Sequence, residues 1–157
     1  MLFRSELLTE GGVSEIIPWQ AERSIAQWQS DSESKWNSAV REASKQSRRV
    51  VIPRVSPLKN SRDVMTALTD ADCVLVFHES ETQPLSHVLE KISTKNISRL
   101  ALIIGPEGGI SERELAEFLA GGAIAVRMGE PIFRAAHAGV AALAAVQTGL
   151  KIGRAHV

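Results

Sequence analysis

Two glycine-bearing segments set backbone N–H groups beside ionisable side chains: Gly105-Pro106-Glu107-Gly108-Gly109-Ile110 and Met128-Gly129-Glu130-Pro131-Ile132-Phe133-Arg134. Adjacent glycines let a backbone take positive φ and approach a ligand closely, and Pro106 stiffens the start of the first segment. Free N–H groups in such a loop could grip an adenosine or a carboxylate, while the same glycine pair also suits a plain turn between strand and helix. Neither G-x-G-x-x-G nor a G-K-[ST] ending is present, so a mononucleotide phosphate site is disfavoured. The second segment mixes one glycine and one proline with apolar side chains and could wall a flat apolar ligand.

Each segment needs a strand before it and a helix after it. The run Leu100–Ile104 precedes the first, and Ser111 followed by Glu114 is a capping box that fixes a helix start just after Gly108 and Gly109. The run AIAVRM precedes the second, and an alanine-rich helix from Ala135 to Ala145 follows it. Its small side chains permit close approach of another element, although alanine is also simply the best helix former. Two such loops at neighbouring strand ends would make one ligand site. Upstream, short β-branched runs alternate with longer helical ones, which predicts an α/β domain around a mostly parallel sheet. Val74–Phe77 and Leu100–Ile104 are continuously apolar, as expected of central strands covered on both faces. The polar, proline-punctuated stretch between Pro53 and Asp63 reads as a surface connection.

Composition narrows the function classes. The chain has 157 residues, 44% hydrophobic and 23% charged, which suits one soluble compact domain. Lys plus Arg and Asp plus Glu stand at 18 each, so no basic excess announces nucleic-acid binding, and an RNA partner has to be argued from the site. The single cysteine, Cys73, excludes a disulfide framework and a cysteine metal cluster; it sits in an apolar run that predicts a buried, inert thiol. No window approaches the ~18 apolar residues of a membrane span, and the N-terminus lacks a cationic segment followed by a long apolar one. A cytoplasmic protein that binds neither metal nor membrane is expected.

The combination of Ile104-Gly105-Pro106-Glu107-Gly108-Gly109, its serine-glutamate helix start, and Met128-Gly129 with Ile132-Phe133-Arg134 resembles the SPOUT class of S-adenosylmethionine-dependent RNA methyltransferases. Within that class it is most similar to the family that methylates uridine N3 in 16S ribosomal RNA of the small subunit. Weaker similarities run upstream through Gly12–Ser24, Lys35-Trp36 and Arg41–Arg49, so the resemblance covers nearly the whole of residues 1–150. It implies a C-terminal deep trefoil knot, one of the rare exceptions to unknotted topology, and a homodimer. It also implies a pocket for S-adenosylmethionine made by the backbone of Gly105, Gly108, Gly109, Met128, Gly129 and Ile132, with Ile103, Ile104 and Phe133 as apolar walls. Methyl transfer then asks the chain to align uridine N3 and help remove its proton. Arg134 could stabilise negative charge on the uracil oxygens or hold RNA phosphate, and Glu107 could accept a proton or organise its loop.

The chain departs from the family pattern after the arginine. Two polar side chains give way to Ala135 and Ala136, and His137 follows, either as a polar contact or as an ordinary helix-surface histidine. The family also carries a PUA-like RNA-binding barrel before the knot domain, and this chain begins close to where that domain begins, so the barrel is expected to be absent. Arg23, Lys45, Arg48 and Arg49 are then the candidates for residual RNA contact, against a default of solvated surface charge. KIGRAHV at Lys151–Val157 matches the in-frame translation of a common sequencing adapter and is expected to be non-native. A cofactor-binding regulatory module without transferase chemistry, and a dimerising structural domain, are the alternatives to an RNA methyltransferase.

Overall fold

The structure, a computed structural model, describes residues 2–129 and 135–150. In chain order the elements are α1 (Leu2–Gly11), β1 (Glu15–Ile16), β2 (Trp19–Gln20), α2 (Ser32–Gln46), β3 (Arg54–Val55), β4 (Lys59–Asn60), α3 (Ser61–Ala67), β5 (Cys73–Phe77), α4 (Leu85–Ile92), β6 (Leu100–Ile104), α5 (Glu112–Ala120), β7 (Ile124–Val126) and α6 (Ala135–Gly149). All strand pairings among the described residues are parallel. They form a three-stranded sheet in the order β6-β5-β7 and two short pairs, β1 with β3 and β2 with β4. The expected α/β class with parallel strands is what the chain adopts.

The three-stranded sheet sorts its side chains by the two-residue period of a strand. Val74, Val76, Ala101, Ile103 and Ala125 face one side, where Val64 and Leu68 of the α3 region and Phe118 of α5 cover them. Cys73, Leu75, Leu100, Leu102, Ile124 and Val126 face the other, under Leu85, Val88, Leu89 and Ile92 of α4 and Val146 of α6. In α4 the buried positions recur at i, i+3, i+4 and i+7, the apolar stripe of a helix lying on a sheet. Leu75, Val76, Phe118 and Val126 are fully buried, which puts the densest part of the core around β5. A third cluster, Ile16, Trp36, Val40 and Val55, joins α2 to β1 and β3. Cys73, on the sheet face under α4, is buried as the sequence predicts, and burial pushes its thiol above the ordinary value.

Two expectations are corrected. Among the described residues β6 is not a central strand: it pairs only with β5, and of its residues only Ile103 is buried. A continuous apolar run reports that both faces of a strand are covered, and says nothing of whether one of its edges is free. The stretch between Pro53 and Asp63 is not a plain surface connection either. It supplies β3, β4 and the start of α3, whose N-cap Asn60 accepts a hydrogen bond from the Asp63 N–H at 3.0 Å. Two-residue strands are too short to leave a periodic trace, and their partners lie about 40 residues away in sequence.

Small residues in α6 do permit the close approach that the alanine run suggests. The helix packs against α1, α4 and β6, and a Cβ on Gly139 would come within 3.1 Å of Leu8 Cδ2. Among the described residues no helix is long and apolar enough to cross a membrane.

Candidate functional site

β6 ends at Ile104, whose carbonyl accepts a hydrogen bond from Trp19 Nε1 at 3.4 Å, and Trp19 itself stands edge-on to Phe118 with ring centroids 5.4 Å apart. This fixes the point from which the first glycine loop departs. The loop closes on itself through Gly109 N–H donating to the Pro106 carbonyl at 2.9 Å, with Gly109 at φ +75°, a conformation that glycine adopts without the Cβ clash. Ile110 then turns inward and is buried, and Ser111 caps α5.

The capping box predicted from Ser111 and Glu114 is present in both directions. Ser111 Oγ accepts from Glu114 N–H at 3.2 Å, and Glu114 Oε2 accepts from Ser111 N–H at 3.0 Å. Glu114 does more than cap. It is fully buried, and its Oε1 accepts from the Glu22 N–H at 2.8 Å and from the Ser61 hydroxyl. One carboxylate thus ties the glycine loop's helix to the segment after β2 and to the start of α3. The sequence signals only the local half of this arrangement, because the Glu22 and Ser61 contacts lie 92 and 53 positions away.

Two further contacts hold the loop from outside. Glu107 forms an ion pair with Arg4 of α1. A hydrogen bond from its own backbone N–H, opposed by partial burial and helped by Arg4, holds its carboxyl below the ordinary glutamate range. A carboxylate so held is a weaker proton acceptor, and of the two roles read from the sequence its surroundings favour organising the loop. Gly108 lies directly against Arg23: a Cβ there would come 2.7 Å from the Arg23 carbonyl oxygen and 2.9 Å from the Arg23 Cβ. Around Gly109, by contrast, the nearest heavy atom to such a Cβ is Arg23 Nη1 at 4.0 Å. Gly108 is therefore a packing glycine, and Gly109 faces open space. Ile103 points into the core beside Phe118, beneath the loop, while Ile104 is half-buried at its base.

The second loop leaves β7 on the other side of the sheet. Phe77, the last residue of β5, is in register with Ile104 on one side and Val126 on the other. The two loops are therefore not at neighbouring strand ends as the sequence suggests. They flank the end of β5, and with adjacent strands about 4.8 Å apart their starting points are separated by about 10 Å. Arg127 forms a bridge with Pro84, with Arg127 N–H donating to Gln83 and its carbonyl accepting from Leu85 N–H, both at 2.9 Å. Met128 is half-buried and Gly129 exposed. Ile132, Phe133 and Arg134 lie outside the described residues, as do Lys151–Val157.

Between the two loops sits a segment the sequence reading missed. Residues 78–84 follow β5, and His78 N–H donates to the Val126 carbonyl at 3.1 Å while its Nδ1 accepts from Ser80 N–H at 3.3 Å. Only the strand order reveals that this segment occupies the middle of the site. The four cations singled out together are separated by the fold. Arg23 lies on the glycine loop, whereas Lys45, paired with Glu42, and Arg49, which donates to the Val13 carbonyl, flank Arg48 at the end of α2. Among the described residues no group of three or more His, Cys, Asp or Glu side chains is placed to hold a metal ion.

Comparison with known proteins gives the family and the fold. The chain is 36% identical over 149 residues to the Ribosomal RNA small subunit methyltransferase E of Mycobacterium bovis, covering 90% of this chain and 55% of that protein. It is 30% identical over 145 residues to the protein of the same name from Bacillus subtilis, covering 88% and 57%. The chain thus spans little more than half the length of these relatives. A crystal structure of a Ribosomal RNA small subunit methyltransferase E from Neisseria gonorrhoeae, bound to S-adenosyl methionine, superposes with a TM-score of 0.83 at 29% identity, covering 94% of this chain and 60% of that one. Residues 3–147 match the RNA methyltransferase domain as a family, and the chain belongs to it.

Proposed function

We propose that this domain transfers a methyl group from S-adenosylmethionine to N3 of a uridine in 16S ribosomal RNA of the small subunit. The observation that carries the reading is the pair of loops leaving β6 and β7 on either side of Phe77, at the carboxyl edge where parallel sheets take their ligands. The open face of Gly109 leaves room for a flat ligand against the loop backbone, which fits the cofactor. The groups that would hold it are the backbone of Gly105, Gly108, Gly109, Met128, Gly129 and Ile132, with Ile104 and Phe133 as apolar walls and Ile103 supporting them from the core. The S-adenosylmethionine-bound relative supports the assignment.

S-adenosylmethionine supplies a methyl carbon already activated by its sulfonium. The chain's own work is to align the uracil ring in line with that carbon and to favour loss of the N3 proton. Arg134 is assigned to the negative charge that develops on the uracil oxygens as the proton leaves. Glu107, paired with Arg4, is assigned to holding the first loop in shape. The reading extends to a deep trefoil knot of the SPOUT class through the second loop and α6, to a homodimer, and to a cytoplasmic enzyme.

Calorimetry with S-adenosylmethionine tests this, with Gly129→Trp as the variant that fills the pocket, followed by transfer of labelled methyl from the cofactor into small ribosomal subunits. Binding by the parent chain, its loss in Gly129→Trp, and label at uridine N3 are expected. A folded parent chain that binds no S-adenosylmethionine overturns the reading.

A further inference from the structure

We infer that Arg23 is a substrate-binding residue, its guanidinium gripping a phosphate of the RNA strand next to the first glycine loop. The inference rests on the proposed RNA methyltransferase reading and names a group that the two glycine loops do not contain.

Three observations converge on it. First, the position of Arg23 is fixed by its main chain. The Glu22 N–H is held by the buried carboxylate of Glu114, Ala21 N–H donates to Ser24 Oγ at 3.1 Å, and the Arg23 carbonyl packs on Gly108 with no room for a side chain between them. Second, the side chain is not used for that anchoring. It is exposed, and its Nη1 reaches the open side of Gly109, so the charge stands at the rim of the cofactor loop rather than in the fold. Third, the neighbouring arginines already have partners. Arg4 is paired with Glu107, and Arg113 with Glu22 and Glu117. Arg23 makes no side-chain hydrogen bond or close ion pair among the described residues; its charge acts on the adjacent Glu22 carboxylate, which is itself held by Arg113.

A guanidinium at a site rim, held by a rigid backbone and with its nearest carboxylate already engaged by another arginine, suits a planar, multiply hydrogen-bonding anion. RNA presents such an anion at every linkage, and positioning contacts of this type fix the register of a strand without reading its sequence.

The test uses the chain saturated with S-adenosylmethionine and a short labelled oligouridylate, with affinity read by fluorescence anisotropy across a salt series. Arg23→Ala is expected to weaken oligouridylate binding about tenfold. The slope of log affinity against log salt should flatten by about 0.7, the value of one lost phosphate contact to a single strand. Arg23→Lys should restore the slope, because the point charge remains, and cofactor affinity by calorimetry should be unchanged in both variants. An unchanged slope in Arg23→Ala, with the parent binding both ligands, overturns the inference alone. Loss of cofactor binding in Arg23→Ala also overturns it, by assigning the guanidinium to the cofactor. A parent that binds the cofactor but no oligouridylate overturns it and leaves the cofactor site standing. A parent that binds no cofactor overturns the methyltransferase reading itself.

Discussion

Arg4 and Glu107 stand 103 positions apart in the chain and meet as an ion pair, joining the first helix to the middle of the glycine loop. Because its own backbone N–H and, less strongly, Arg4 hold the folded-state pKa of Glu107 below its ordinary value, the ionised carboxylate contributes stability above the unfolded pKa and loses it as pH falls through the folded one. The Glu107 side chain is half exposed, so solvent screening keeps the contribution below about 1 kcal/mol. Urea titrations of Glu107→Gln against the parent should show a small deficit at neutral pH that vanishes in acid. Cofactor affinity should survive the substitution if Glu107 only organises the loop.

Removing the buried carboxylate of Glu114 should be far more costly. Glu114→Ala leaves the N–H groups of Glu22 and Ser111 and the Ser61 hydroxyl without their acceptor, for an expected loss of about 3–5 kcal/mol. Glu114→Gln keeps one oxygen but turns an N–H donor toward another donor, and should lose about 1–3 kcal/mol. Equal midpoints for parent and Glu114→Ala in denaturant titration would contradict the three-way role.

The two adjacent glycines should respond differently to alanine. In Gly108→Ala the new methyl would meet the Arg23 carbonyl, so the segment after β2 must shift and Arg23 with it. In Gly109→Ala the space is free and the penalty is backbone strain at φ +75°, on the order of 1–2 kcal/mol. Gly109→Asn should recover part of that loss, since asparagine tolerates the left-handed region, whereas Gly108→Asn should not. Thermal melts of the four variants separate steric from conformational glycine.

Phe118 is fully buried beneath the three-stranded sheet and edge-on to Trp19, which in turn holds the end of β6. Phe118→Ala should cost about 3–5 kcal/mol. Trp19→Phe keeps most of the ring but deletes the donor to Ile104, and should weaken cofactor binding more than it lowers the melting temperature.

Cys73 should react with a thiol reagent only as the domain opens. Burial raises its pKa and hides its sulfur, so native labelling should be slow and should accelerate with added denaturant. Rapid stoichiometric labelling of the native chain would contradict its burial.

What the sequence makes legible is what neighbours in the chain decide. The capping box at Ser111 and Glu114, the β5 and β6 runs, the buried Cys73 and the small-residue face of α6 all depend on residues within a few positions of one another or on composition. What escapes the sequence reading depends on partners far along the chain. The strand order that inserts residues 78–84 between the two glycine loops is written in no local pattern, nor is the arrival of Arg23 on Gly108, and the two-residue strands β3 and β4 are too short for any period. Glu114 shows both halves, its capping role visible three residues away and its grip on Glu22 and Ser61 invisible.

The all-parallel pairing has a consequence for how the domain comes into being. A parallel pair cannot be closed by a tight turn, so each must wait for a long intervening segment to be made and collapsed. The ties that shape the glycine loop reach back from residues 104–114 to Trp19, Glu22 and Arg4. Such distant closures are slow, and during synthesis the ties made by Glu114 cannot form until the first turn of α5 has left the ribosome. The glycine loop is thus completed late, and a nascent chain halted before Glu114 would lack the carboxylate that ties the loop's far end to Glu22 and Ser61.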